Sequence, residues 1–265
     1  MGSPATVALS TSAAGQVTSW RHVFDMAANI DGLGVTLAMN KQRYIEEVTS
    51  AKVHGFEWED GDGGVMRETF MLTGTGTTNI SSVNIAATVT GATYPSLSNR
   101  ITRAQGVFRM NATGGSGLGA SDAVQAEKIK LTFNRPQDAP HAYGSAVIIE
   151  PADNGFPVLE IEVNYPRMNT PTANSLFAGL REATAFKADW TFSGAFINST
   201  DRYTVLFQFP YLQLKDFEAP TAGANQIKPK AMFAARLAPT SPTGMAFVNP
   251  MRLTRTMINS VAAFS

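Results

Sequence analysis

The chain has 265 residues, enough to bury one large hydrophobic core or two small ones. Lysine plus arginine balance aspartate plus glutamate at 21 each, the formal net charge is +0 and only 16% of residues are charged. This excludes a general phosphate-neutralising nucleic-acid binder and leaves a surface suited to association. There is no cysteine, which excludes disulfides, thiolate metal sites and cysteine nucleophiles.

Residues 1–19 are small, polar and without period, and read as an extended arm that gains order against a partner. They show no basic start followed by an apolar run, and no later stretch approaches the roughly 18 apolar residues of a membrane span, so the expectation is a soluble protein that is not secreted. Met1-Gly2 through Thr6 matches the loose myristoylation pattern, and Asn79, Asn111 and Asn198 head sequons; both are read as chance matches in a Ser- and Thr-rich chain. WRHVFDMAANI predicts a short helix ended by Asp31-Gly32 and Gly34. From Tyr44 onward the signals are those of strands. SAKVHGFEW, the turn-rich EDGDGG and VMRETFMLTGTG predict a hairpin, and SSVNIAATVTG a further strand. QGVFRMNATGGSGLGASD reads as a short strand entering a Gly- and Ser-rich loop. EKIKLTFN alternates cleanly, with Ile129, Leu131 and Phe133 on one face and Lys128, Lys130, Thr132 and Asn134 on the other. GSAVIIEPADNGFPVLEIEVNY predicts a hairpin turning at Asp153-Asn154-Gly155, with Leu159, Ile161 and Val163 inward. TANSLFAGLREATAF has the cap and the apolar stripe of a helix. ADWTFSGAF, YTVLFQFPYLQLKDF and KAMFAARLA are strands, and the apolar tail from Thr243 has no firm period. A faint echo between AKVHGFEW and EKIKLTFN suggests an internal duplication over about 20–105 and 106–265. The whole is a mainly β, antiparallel protein with one helix.

Within YTVLFQFPYLQLKDF the apolar phase shifts by one residue: Val205, Phe207 and Phe209 precede Pro210, whereas Leu212 and Leu214 follow it. A one-residue shift moves the buried set to the opposite face unless the chain bulges, and proline, which cannot donate to a ladder, is a natural place for the break. The expectation is a bend or bulge within a residue or two of Pro210, with Leu212 and Leu214 turned to the helix or to a neighbouring subunit.

No catalytic motif stands out. His22, His54 and His141 lack metal-site spacing, there is no Gly-x-Ser-x-Gly elbow, and no glycine pattern forms a dinucleotide or phosphate loop. The run Glu57-Trp58-Glu59-Asp60-Gly61-Asp62 lacks the ligand alternation of a calcium loop and lies where a hairpin must turn. Trp20, Trp58 and Trp190 read as core or interface residues. The expectation is a protein that is no enzyme and needs no cofactor or metal.

From about Tyr44 to Ala238, the order KVHGFEWEDGDGGVMRETFMLTGTG, EKIKLTFN, LEIEVNYP, LFAGLREA, ADWTFSGAF, YTVLFQFPYLQLKDFEAP and KAMFAARLA resembles the major tail tube proteins of long-tailed bacteriophages. Its most specific local features are the Phe209-Pro210 step and the Glu218-Ala219-Pro220 loop. The resemblance implies an antiparallel β-sandwich or barrel of the tail tube type, with one flanking α-helix and extended arms: an arm over 1–19 and a tube-like β domain over 20–265. It implies a virion protein, assembled in the host cytoplasm, that forms stacked rings, hexameric or, with a duplicated unit, trimeric. Its partners would be itself, a tape-measure protein, tail terminator and tail-tip proteins, and passing double-stranded DNA held without specific binding; no membrane is implied. The alternatives are a head decoration or connector protein, or a soluble carbohydrate- or receptor-binding β module. A conduit wall should not hold phosphate, so the acidic and polar residues Glu150, Glu160, Glu162 and Asn164 in one hairpin, and Glu57, Glu59 and Glu68 in the other, are the candidates to face the lumen. The competing expectation is that Glu160 and Glu162 pair with Lys128 and Lys130 on an outer face.

Overall fold

The computed structural model describes residues 5–11, 17–26, 30–41, 44–60, 64–78, 100–145, 148–167, 176, 184–219 and 227–257. The chain is mainly β. Its strands are β1 (Ala5–Thr11), β2 (Val17–Asp25), β3 (Val35–Asn40), β4 (Ile45–Asp60), β5 (Met66–Thr73), β6 (Gly76–Thr78), β7 (Gly106–Ala112), β8 (Lys128–Asn134), β9 (Gln137–Asp138), β10 (Ala152–Asp153), β11 (Val158–Asn164), β12 (Ala185–Phe196), β13 (Arg202–Glu218), β14 (Lys230–Ala235) and β15 (Arg252–Met257). All but β9 and β10 join one hydrogen-bonded network, whose main path runs β1-β2-β15-β13-β14-β11-β8-β4-β3, with β5 and β6 also on β4, and β12 between β13 and β7. The pairings are antiparallel.

The network folds over on itself into a sandwich. One layer is β5-β4-β8-β11-β14 with the second half of β13; the other is β7-β12, the first half of β13, β15, β2 and β1. The evidence for the fold-over is ring contact between strands that do not pair: Trp58 of β4 meets Phe207 at 5.3 Å and Phe192 at 5.7 Å. The alternation seen in the sequence places Phe56, Trp58, Ile129, Leu131, Leu159, Ile161, Val163 and Phe233 of the first layer against Phe108, Trp190, Phe192, Phe207 and Leu253 of the second in a single core.

Strand β13 joins the two layers. On one side it follows β12 from Arg202 to Gln213; on the other it pairs with β15 over Thr204–Gln208 and with β14 from Leu212 onward. Phe209, Pro210 and Tyr211 lie where the second partner changes, so the missing proline N–H interrupts no ladder on that side. Against β12, Ala188 faces Phe209 and Phe186 faces Leu212: two steps on one strand match three on the other, which is a β-bulge at Pro210-Tyr211. The extra residue absorbs the phase shift. Val205, Phe207, Phe209, Leu212 and Leu214 are all buried in the same core. This corrects the expected division of faces: Leu212 and Leu214 point into the subunit's own interior and are unavailable as an interface. The shift in the sequence marks a bulge that keeps one face inward.

Other expectations change as well. The helix read over WRHVFDMAANI is strand β2 as far as Asp25, because pairing with β15 and β1 overrides a weak helical period. Residues 5–11, within the expected arm, form a strand paired with β2. The hairpin expected to turn at Asp153-Asn154-Gly155 does not exist as such. The arms of the real pair are β8 and β11, and between them residues 135–157 fold back separately: β9 pairs with β10, His141 bridges Ile148, and Ala142 to Ser145 turn with Gly144 at φ 78. Pro151 and Pro157, unable to donate, break the run that would have paired with β11. Within the expected helix over 172–186, Leu176 is helical and buried, Thr184 is in no regular element, Ala185 and Phe186 belong to β12, and the rest lies outside the described residues, as does SSVNIAATVTG. The tail without a firm period supplies β15. The two echoing segments are neighbours, β4 lying beside β8 from Gly55 to Glu59, and the pairings β2–β15 and β4–β8 cross the suggested boundary near residue 105.

Gly55 shows how closely β4 and β8 approach. A Cβ there would lie 2.9 Å from the backbone oxygen of Phe133 and 3.1 Å from Met71 Sδ. Because backbone cannot yield as a side-chain tip does, Gly55→Val is expected to lower stability by about 1–3 kcal/mol, read as a fall in the urea midpoint at unchanged m-value.

Candidate assembly surfaces

The outer faces of the two layers differ. That of β12 is covered: Lys187 is fully buried and donates from Nζ to the backbone oxygens of Gly115 (2.8 Å) and Thr243 (3.2 Å), while Met245 and Phe247 of the segment before β15 are buried too. Desolvation lowers the Lys187 pKa from the usual lysine range. Beside it, buried Asp189 accepts from Arg109 through both carboxylate oxygens, Nε to Oδ1 at 2.8 Å, and this hydrogen bond raises the Arg109 pKa further. Removing the carboxylate leaves a partly buried guanidinium unpaired. Since the Arg109 side chain keeps 29% exposure, water offsets part of the loss, and Asp189→Ala is expected to cost about 2–3 kcal/mol, below the usual range for breaking a fully buried pair, measurable by thermal unfolding.

The outer face of β4-β8-β11-β14 is half-exposed and charged in rows. Strand alternation puts Glu57 and Glu59 of β4, Lys128 and Lys130 of β8, Glu160, Glu162 and Asn164 of β11 and Lys230 of β14 on this one face. The rows interlock: Lys130–Glu57 at 2.9 Å, Lys128–Glu59 at 3.0 Å, Lys230–Glu162 at 3.0 Å and Lys215–Glu160 at 2.6 Å. The hydrogen bond from Lys128 holds the Glu59 carboxyl below the usual range, and that to Glu57 raises Lys130. For Glu162, burial pushes upward, but hydrogen bonds from Lys230 and Asn164 outweigh it and leave the carboxyl lowered; Lys230 is raised by the same contact. Four carboxylates therefore meet four ammonium groups in these rows, with Asp216 and Glu218 of β13 and Arg67 of β5 at their margins. Glu160 and Glu162 do pair across strands, though with Lys215 and Lys230 in place of Lys128 and Lys130.

The remaining two candidates lie elsewhere. Glu150, in the connection between β8 and β11, binds buried Lys52 at 2.7 Å and accepts from the Gly32 N–H at 2.9 Å, contacts that lower its pKa. Glu68 of β5 faces the space between the layers, where both its oxygens contact Arg255 Nη2 at 3.0 and 3.1 Å. The pair sits at the edge of a cavity of about 280 Å³ lined chiefly by Phe24, Phe56, Phe70, Phe133 and Leu253. In the acidic run, Glu57 and Glu59 are in the charged rows, Trp58 is core, and Asp60, raised by burial, approaches Arg103 at 3.6 Å; residues 61–63 lie outside the described residues. Trp190 is core and Trp20 half-buried. Among the described residues no three His, Cys, Asp or Glu side chains group as a metal site, and no helix is long and apolar enough to cross a membrane.

The edges of the network are the surfaces that sequence reasoning missed. Edge strand β7 is covered by the Val124 N–H bonding to Phe108 O, and β5 is met at its start by Ile101 O and carries Arg67 and Glu68. By contrast β1 (ATVALST) and β3 (VTLAMN), at opposite ends of the main path, hold no charge and no proline, and each has a single strand partner among the described residues. Val7 and Leu9 of β1 and Val35 and Met39 of β3 are exposed. Unprotected edges of this kind are templates for another strand. The signal was present as a charge-free β-branched pair, Val35-Thr36, directly after Gly34.

Together these features define an all-β sandwich with one outer face of interlocked charged rows and two charge-free edge strands that have a single strand partner each among the described residues. No protein-family model matches the chain, and no curated protein does. Among solved structures it is similar to the SPP1 tail tube determined by solid-state NMR and cryo-EM, at 7% identity and TM-score 0.36 over 59% of this chain and 78% of that one. It is also similar to a chain of the six-fold symmetrised cryo-EM structure of the anti-feeding prophage (AFP) baseplate, at 10% identity and TM-score 0.34 over 54% and 92% respectively.

Proposed function

We propose that the chain is a structural subunit of a phage tail that assembles with copies of itself into stacked rings, forming a tube through which DNA is ejected. The observation that carries this reading is the pair of charge-free edge strands, each with a single strand partner among the described residues, at opposite ends of one sheet path. Joining β1 of one copy to β3 of the next is a head-to-tail contact, and such contacts close into rings when the rotation permits. The charged rows support it: every lysine in them is already matched to a carboxylate, so a duplex passing this wall would find no array of free lysines. The resemblance of the sequence to major tail tube proteins points the same way. Six copies per ring is the expected number. Negative-stain electron microscopy of the purified protein is the test. Rings or tubes are expected, and a monomer at all accessible concentrations overturns the reading.

A related expectation concerns the wall. Glu160→Lys with Glu162→Lys removes the carboxylates that hydrogen-bond Lys215 and Lys230 and adds two cations. Assembled rings of this variant should retain linear double-stranded DNA at low salt, with a log–log salt slope of about −0.9 per phosphate neutralised, whereas unaltered rings should not. Equal retention by both would remove this face from the lumen.

A further inference from the structure

His22 is fully buried at the centre of β2, paired across one side with Thr6 of β1 and across the other with Arg255 of β15. Its Nδ1 and the Thr6 hydroxyl share a hydrogen bond of 3.0 Å, and its ring lies 6.4 Å from Phe24. Directly opposed residues share a face, so Arg255, whose guanidinium is held by Glu68 of β5, lies on the same face as the imidazole. Strand β1 brings no charge, and Arg21, the neighbour on β2, alternates to the other face.

We propose that His22 is an acid-sensitive latch for the N-terminal strand, holding β1 on β2 while neutral and releasing it when protonated. An imidazolium here would be a second cation on the face that carries Arg255, and burial withholds the water that would solvate it. Of the strands around His22, β1 has the least to hold it: it is an edge, with exposed Ala5, Val7, Ala8 and Leu9. Peeling β1 away admits water to the ring at the cost of one ladder, and it uncovers the edge of β2. Burial lowers the His22 pKa, which fixes the sign: the detached state takes up the proton more readily, so attachment is complete above the ordinary histidine value of about 6.5 and weakens as pH falls below it.

Hydrogen exchange of the full-length protein reads the latch directly. Amide protection over residues 5–11, corrected for intrinsic rates, is expected to fall between pH 7.5 and pH 5, because the detached state binds the proton more readily. Protection over Lys128–Asn134 should stay constant. His22→Gln, which keeps a polar group beside Thr6 but cannot be protonated, should flatten the profile. An unchanged pH profile in His22→Gln, or a flat one in the unaltered protein, overturns the proposal. Should the variant fail to fold, NMR titration of the three imidazoles decides: a His22 midpoint below those of His54 and His141 supports the latch, and one at the ordinary value refutes it.

Discussion

Deleting Pro210 is expected to abolish folding, whereas Pro210→Ala is expected to be tolerated. The first half of β13 is fixed by β12 and β15, so losing one residue leaves Val205, Phe207 and Phe209 in place and rotates everything beyond onto the opposite face. Leu212 and Leu214, now buried, would face outward, and Gln213 and Lys215 would enter the core. Each buried leucine removed costs about 2–5 kcal/mol, and burying an unpaired ammonium costs more. Together these equal or exceed the roughly 5–15 kcal/mol that holds a typical domain together. Pro210→Ala keeps the residue count and hence the bulge. It adds one N–H at a buried position where no ladder partner waits, worth about 1–3 kcal/mol. Circular dichroism and urea unfolding of the two variants separate the explanations: if the deletion folds with the unaltered midpoint, the bulge does not set the register.

What the sequence disclosed and what it hid follow from where the determining forces lie. The alternation in β8 and β11 was legible because one face of each is core and the other water, so a period of two is imposed at every residue. The Pro210 bulge was legible for the same reason, as a break in an otherwise strict period. The direction of Leu212 and Leu214 was not, since a phase shift alone cannot distinguish a strand that changes faces from one that inserts a residue to keep its face. Strands β2 and β15 were hidden because most of their residues are neither fully buried nor exposed, so no clean period of two appears, and their state is set by partners up to 227 residues away, as the bond between Asp25 and Arg252 illustrates; β3 was hidden because it is largely exposed. The charged rows were half legible. Which carboxylates share a face follows from alternation, but the cations they meet depend on strand order, and the Lys215 and Lys230 partners come from strands that the sequence places far from β11.

Placing lysines on β3 is expected to abolish assembly and leave the subunit intact. Val35 and Met39 are exposed, two strand repeats apart on the same face, and β3 has β4 as its one partner, so Val35→Lys with Met39→Lys removes little buried area and should change stability by no more than about 0.5 kcal/mol per site. On an edge strand the consequence differs in kind. Any strand adding to β3 would have to desolvate two ammonium groups whose neighbours on β1 of the next copy, Val7 and Leu9, offer no counter-charge; natural edge strands use lysine in this way to refuse a partner. The loss multiplies around a ring, because each contact is the same contact and closure requires all of them. The variant should therefore sediment as a folded monomer, with the thermal midpoint of the unaltered subunit, at concentrations where the unaltered protein forms rings. The same substitution should be rescued in part by Val7→Glu with Leu9→Glu on β1, which supplies the missing charges across the joint. Rings that form normally from the lysine variant would exclude β3 as the joint while leaving the tube reading in place; rings restored by the charge-complementary pair would identify both edges at once.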